Sequence, residues 1–542
     1  MTRRHTPFAE VTGIALGLAA LSVACTDPTK PDFTPVEVVG EEICEASADW
    51  LPNTPELAQF LPVPHPAGEC PFYRSGWQNF LRAMQPDLAN GGRPALIGYP
   101  TIDDVFHPVK AHPASRSYLG DVKQAGGRQI LIDGNGNSLY YGIHVNDAFA
   151  KFIQDNGLQT GAALQAYPTD PAKKNLLFPA GVTEFKSAWQ VVEGTPDEVA
   201  AQMANYITMT TTVPTLSQDG PPSFTIHEDR NTPRMVTVRL LAIHVVSTLV
   251  GHPEFIWASF EHSTGMANNE PDSKATDNQR DVAPILDGDK QPDADNNITV
   301  TKPASMDPHV LYAAGTPANQ ANHAFVDTEM RLVGQKFMLA SDMTKPAQTS
   351  IYRLFPASKS NTTDPDAAIT SLNHNVEVLF TSHPDDKRGN YRLVGAQWMD
   401  KPGYYGLNLP LQNDATSPMA NPSQRLDGKH IAQDGSLADP ISKQALISNI
   451  QADGSDSEFS ILAGEDRMSS TSMESFTQTS DAFPNCFNCH NTQAITAKGI
   501  SSDRDSPTSQ IKLLAPGLLN VSHILSQFLL EEYEAGSLTP AP

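Results

Sequence analysis

The stretch MVTVRLLAIHVVSTLVGHPEFIWASFEH, residues 235–262, decides the fold. Met235 to Val250 and Glu254 to His262 read as a pair of long strands. β-Branched and aromatic residues suit a pleated, half-buried surface, and His252-Pro253 marks the break between the two runs. Working outward, a hairpin is expected over 129–145. Gln129-Ile130-Leu131-Ile132 and Ser138 to Val145 flank Asp133-Gly134-Asn135-Gly136-Asn137, a turn rich in residues that tolerate positive φ. Val182 to Val192 reads as another strand. Thr195-Pro196-Asp197-Glu198 is a capping box opening a helix to about Ile207. Tyr73, Trp77, Phe80, Leu81 and Met84 recur at helical spacing from about residue 70, a core stripe.

Further out, residues 266–300 are polar, acidic and poor in large apolar side chains, so a long surface loop or linker is expected. Short helical patterns follow around Val326–Leu339 and Ala367–Phe380, then a strand-like Tyr391–Trp398. The fold class expected is α+β. A β-rich, sandwich-like domain spans 51–265, a mixed α/β region spans 301–460, and a small α-helical segment spans 461–542.

The N-terminus reads as an export signal. Arg3, Arg4 and His5 form a basic region, and Val11 to Ala24 an apolar one, short for a membrane span. Cys25 follows Ser22-Val23-Ala24 in a pattern similar to a bacterial lipobox, although Leu21 sits one place early. Lipidation of Cys25, ordinary signal cleavage and a retained anchor are the readings open, with 25–50 as a Pro-rich acidic tether. The location expected is periplasmic, or membrane-tethered through that lipid alone. Residues 1–24 carry a net +1, which leaves −25 on the rest of a chain of 542 residues. So acidic a body disfavours nucleic acid, which needs a basic face, and suits a basic protein partner. Of five cysteines, Cys44 and Cys70 are left over from the motifs, and export permits a disulfide between them.

Asn485-Cys486-Phe487-Asn488-Cys489-His490 contains C-x-x-C-H. Two thiols three residues apart lie on one side of a helical turn and can add to two vinyl groups of one porphyrin edge. The adjacent His490 then becomes the proximal ligand of the iron. One covalent haem c on Cys486 and Cys489 is therefore the expected cofactor. A zinc site would need further ligands nearby, and a redox dithiol a βαβ setting; neither pattern accompanies the motif. No Met follows His490. The distal candidates are His523, at the start of an apolar C-terminal helix, and Met473 or Met468 upstream; an open iron is the third reading.

Two other clusters invite a metal. His244, His252, Glu254, Glu261 and His262 fall on the long strands and could hold copper or non-haem iron; the plainer reading is hydrogen-bonded interior histidines. The run Asp287 to Asp295 resembles a calcium loop without the glycine and terminal glutamate.

Taken with CPFYRSGWQNFL (70–81), ILIDGNGNSLYYGIHVN (130–146), FPAGVTEFKSAW (178–189), HPEFIWASFEH (252–262) and CFNCHNT (486–492), the chain resembles the large single-haem bacterial "cytochrome c family" proteins. The resemblance implies haem binding and electron transfer, and names no substrate. Three functions stay open: one-electron transfer to a redox partner, a haem oxidoreductase that is peroxidase-like or acts on an organic substrate, and a tethered binding protein with an accessory haem. Whether the chain is an enzyme is not decided by the sequence.

Overall fold

The structure, a computed structural model, describes residues 44–52, 68–106, 119–123, 130–173, 176–249, 252–262, 327–347 and 367–399. It also describes shorter stretches at 429–431, 437–440, 462–464, 470, 472–474, 486, 490, 495–496, 512–514 and 523–539. The export signal, Cys25, the acidic loop 266–300, Cys489 and Met468 lie outside the described residues.

The opening stretch forms two antiparallel strands, β4 (Ile226–Leu249) and β5 (His252–His262), paired with His244 opposite Ser259. They are the spine of a seven-stranded antiparallel sheet. The other strands are β1 (Tyr140–Val145), β2 (Thr183–Val191), β3 (Thr208–Gln218), β9 (Tyr391–Met399) and β10 (Leu462–Gly464). The order is β10-β9-β5-β4-β2-β1, and β3 pairs with the first half of the long β4. Strand β9 was expected in a separate mixed region, but it lies against β5, so the sheet runs through the expected boundary at 266–300.

The hairpin expected over 129–145 is present, with Ile132 bridged to Ser138 and Asp133 accepting from the Asn135 and Asn137 N–H groups. The capping box opens α5 (Pro196–Asn205), and α6 (Ala367–Phe380) lies where the apolar pattern put it. Residues 326–339 are a correction. After a 3-10 turn at Asp327–Glu329, residues 330–339 form a hairpin of β6 (Met330–Val333) and β7 (Lys336–Leu339), extended by β8 (Asp342–Pro346), in place of an α-helix. Gly334 and Gln335 both have positive φ, the geometry of a two-residue hairpin turn, and that overrides the short helical spacing.

The sandwich-like expectation is corrected as well. Among the described residues the large sheet is faced by helices. On one face stand two rows, Phe185–Val245–Ala258–Ala396 and Ser187–Ile243–Phe260–Leu393. Helix α1 (Cys70–Ala83) and α6 cover them. Phe80 stacks on Phe260 at 4.5 Å, and a Cβ on Gly76 would stand 3.0 Å from that of Ala258, so glycine lets the helix sit close. Asn373 of α6 accepts from Trp77 Nε1 (3.0 Å) and donates to the Leu393 carbonyl (2.9 Å), tying both helices to β9. Cys44 and Cys70 are joined, with Cα atoms 5.3 Å apart; Ser371 of α6 accepts from the Cys44 N–H.

The second face begins one residue away in each strand. One end is apolar and packs α2 (Ile102–Phe106), α3 (Asp147–Asp155), α4 (Gly161–Ala166) and the C-terminal α7 (His523–Glu534). Phe106 stacks on Phe528 at 4.1 Å. No helix among the described residues is long and apolar enough to cross a membrane.

Candidate functional site

The second face carries three cross-strand rows. The first is Val145–Glu184–Val246–Trp257–Gln397. The second is Ile143–Lys186–His244–Ser259–Gly395. The third is Tyr141–Ala188–Ala242–Glu261–Arg392. Glu184, Lys186, His244, Ser259, Glu261, Arg392 and Gln397 are all buried, an unusual concentration of polar side chains for one sheet face.

The C-terminal segment lies over these rows. Cys486 and His490 belong to one helical turn, the His490 N–H donating to the Cys486 carbonyl (2.9 Å). The Cys486 N–H donates to Gln397 Oε1 (2.8 Å), and the buried His490 ring stacks on Trp257, with centroids 4.4 Å apart. Gln397 and Trp257 are cross-strand neighbours, so one short ladder holds both ends of the turn. Cys486 is half-buried and not disulfide-bonded.

Residues 472–474 are anchored beside the turn. Tyr141 Oη donates to the Ser472 carbonyl (2.7 Å). Glu474 Oε1 lies 2.7 Å from His244 Nε2, whose Nδ1 lies 2.6 Å from Ser259 Oγ. Burial alone would raise the Glu474 carboxyl, but His244, Lys186 and His490 outweigh it and hold the group below the usual carboxylate range. Burial pushes the Lys186 ammonium down, opposed by Glu474, Asp121 and Glu184. It pushes the Tyr141 phenol well up, helped by Asp121 and Glu474. The Ser259–His244–Glu474 chain ties residue 474 to a buried position on a central strand.

The structure thus places Cys486 and His490 on one turn over this face, and the buried Met473 lies between the two anchored residues Ser472 and Glu474. His523 opens α7, and its side chain lies outside the description. The residues that follow it, Ile524 and Leu525, share an apolar cluster with Trp257 and Cys486.

The strand histidines do not converge. His244 faces Ser259, so with a period of two His262 stands on the opposite face. There His262 stacks on Tyr206 at 3.6 Å, and its Nε2 donates to the Asn205 carbonyl (3.1 Å). His252 meets the Phe72 ring edge-on at 4.8 Å. No group of three His, Cys, Asp or Glu among the described residues is placed to hold a metal ion.

Sequence reasoning missed Trp257, Gln397, Glu474, Lys186 and Tyr141. The signal for Lys186 was there: Glu184 and Lys186 stand two apart inside an apolar strand, and so share one face. No protein family, curated protein or solved structure matches this chain.

Proposed function

We propose that the chain is an exported single-haem c-type cytochrome that transfers one electron at a time to or from a protein partner. The observation that carries this reading is the helical turn of Cys486 and His490, docked on a buried sheet face by Gln397 and Trp257. The donor set fits the group: a thiol and an imidazole on one turn, beside apolar surface from Phe255, Trp257, Leu513 and Leu514. Cys486 and Cys489 would hold the porphyrin by thioethers, and His490 would be the proximal ligand. Haem, when bound, supplies a one-electron Fe(III)/Fe(II) couple. Around it, the chain's own residues exclude water on the Trp257 side and fix the turn through the Gln397 hydrogen bond. His523 would be the second protein ligand to the iron in this reading, and Met473, buried between two residues anchored to the sheet, is its rival. The C-terminal segment is a docked part of the whole, short of a free-standing module. Export, lipidation at Cys25 and an acidic surface meeting a basic partner complete the proposal.

The test is expression with an export signal in a bacterial host that matures c-type cytochromes. One haem per chain, resistant to acid extraction and lost in Cys486→Ala/Cys489→Ala, is the expected result. A colourless chain with two alkylatable thiols at 486 and 489 overturns it.

A haem oxidoreductase is the second reading, favoured by the buried His244 and Lys186 and the half-buried Glu474 beside His490. A ferric spectrum moved by cyanide or peroxide selects it; a low-spin spectrum unmoved by either selects electron transfer.

A further inference from the structure

We infer that Trp257 is a positioning residue for His490, so that a strand of the large sheet sets the orientation and the dryness of the haem's proximal side. This rests on the haem reading above and goes beyond it, since the C-x-x-C-H motif says nothing of what lies behind its histidine.

Three observations carry the inference. The rings of Trp257 and His490 stack with an interplanar angle of 28°, so the indole covers a face of the imidazole. An imidazole nitrogen binds a metal through its in-plane lone pair. A stacked indole therefore covers a face and not the edge that carries the lone pair, while removing the ring's freedom to turn about the bond it would make. Trp257 is itself immobile: it lies in the middle of β5, is 3 % exposed, and pairs with Val246 on one side and Gln397 on the other. Gln397 holds the Cys486 N–H, so the same ladder fixes the start of the turn and the ring at its end. Partners that orient a metal ligand and control water around it tune the potential and the geometry of the centre.

The consequence is a division of labour between residues far apart in sequence. The motif attaches; the sheet orients. Removing the indole should leave attachment intact, because the thioether bonds would form at the cysteine sulfurs and take nothing from the indole. It should free the imidazole plane and admit water behind it. Water stabilises the ferric charge, and the potential falls.

The experiment compares the full-length wild type with Trp257→Leu and Trp257→Phe, each scored for haem per chain, midpoint potential and the low-spin ferric EPR spectrum. For Trp257→Leu the expected results are one haem per chain and shifted, broadened g values. The ferric form should be favoured about tenfold, roughly 59 mV for one electron. Trp257→Phe keeps a stacking ring and should restore both readouts toward wild type. A loaded Trp257→Leu protein with wild-type potential and EPR overturns this inference and leaves the haem reading standing. A wild type without haem overturns both. Should Trp257→Leu not fold, NMR of the ferrous wild type decides. Cross-relaxation between the shifted His490 ring protons and the Trp257 indole supports the stack, and its absence overturns it.

Discussion

On one face of the sheet Phe185, Val245, Ala258 and Ala396 stand in line beneath α1. On the other, one residue away in each strand, stand Glu184, Val246, Trp257 and Gln397. The same four strands therefore serve two purposes, and the pleat alone separates them. The first face is closed by helices whose aromatic rings stack on it. The second is closed in part by chain from the far C-terminal region, held by hydrogen bonds to buried polar groups. Apolar packing tolerates small shifts at modest cost; a buried polar group without its partner does not. The difference teaches that the helix-covered face carries stability, while the polar face carries placement.

The largest expected effect breaks the helix-covered face. Phe80→Ala removes a ring stacked on Phe260 and should cost about 3–5 kcal/mol in urea unfolding. The Cys486–His490 turn should keep its place in whatever fraction stays folded, read as unchanged haem content per folded chain. Cys70→Ala comes next. It opens the Cys44–Cys70 link that straps 44–50 to α1 and α6, and should cost about 2–4 kcal/mol; non-reducing mass analysis checks the bond itself.

Glu474→Gln addresses the polar face. It weakens the His244 bond and should cost about 2 kcal/mol at pH 7, with loss of the 472–474 anchor seen as faster amide exchange there. The sign with pH follows from the depressed carboxyl. Its contribution is present above the ordinary carboxylate value of 4.5 and is lost as pH falls below it, so wild type and variant should converge in acid.

The smallest effect has the opposite sign. Burial raises Glu228 on β4 to about 7, helped by Asp121 and opposed by Arg230 and Lys123. A raised carboxyl contributes stability below its ordinary value of 4.5, and that contribution is lost as pH rises through about 7. Glu228→Gln should therefore stabilise by about 1–2 kcal/mol at pH 8 and do nothing at pH 4. A pH series of unfolding midpoints on the two variants should give opposite slopes.

Much of the sheet was legible because its signals are local. The run 235–262 announces two strands, Asp133 to Asn137 a turn, and Thr195 to Glu198 a cap. The hairpin at 330–339 was misread because a short apolar spacing fits both periods, and only the turn at Gly334-Gln335 decides between them. The site was legible as a motif and not as a place. In a strand, Trp257 looks like any core aromatic; its role depends on β9, which pairs with it from more than a hundred residues downstream. Histidines 244 and 262 looked like neighbours because sequence shows proximity and hides which way a side chain faces.

The Tyr141 bond to Ser472 spans 331 residues, and the Cys44 bond to Ser371 spans 327. Such closures come late, because a long loop must be drawn in before any contact rewards it. The contacts that seat the Cys486–His490 turn are long-range as well, to Gln397 and Trp257. A fragment starting beyond residue 399 contains that turn and lacks its dock, while one stopping at 464 has the dock and lacks the turn. Connectivity itself checks for completion: only a chain that extends past residue 490 can present the turn on the sheet.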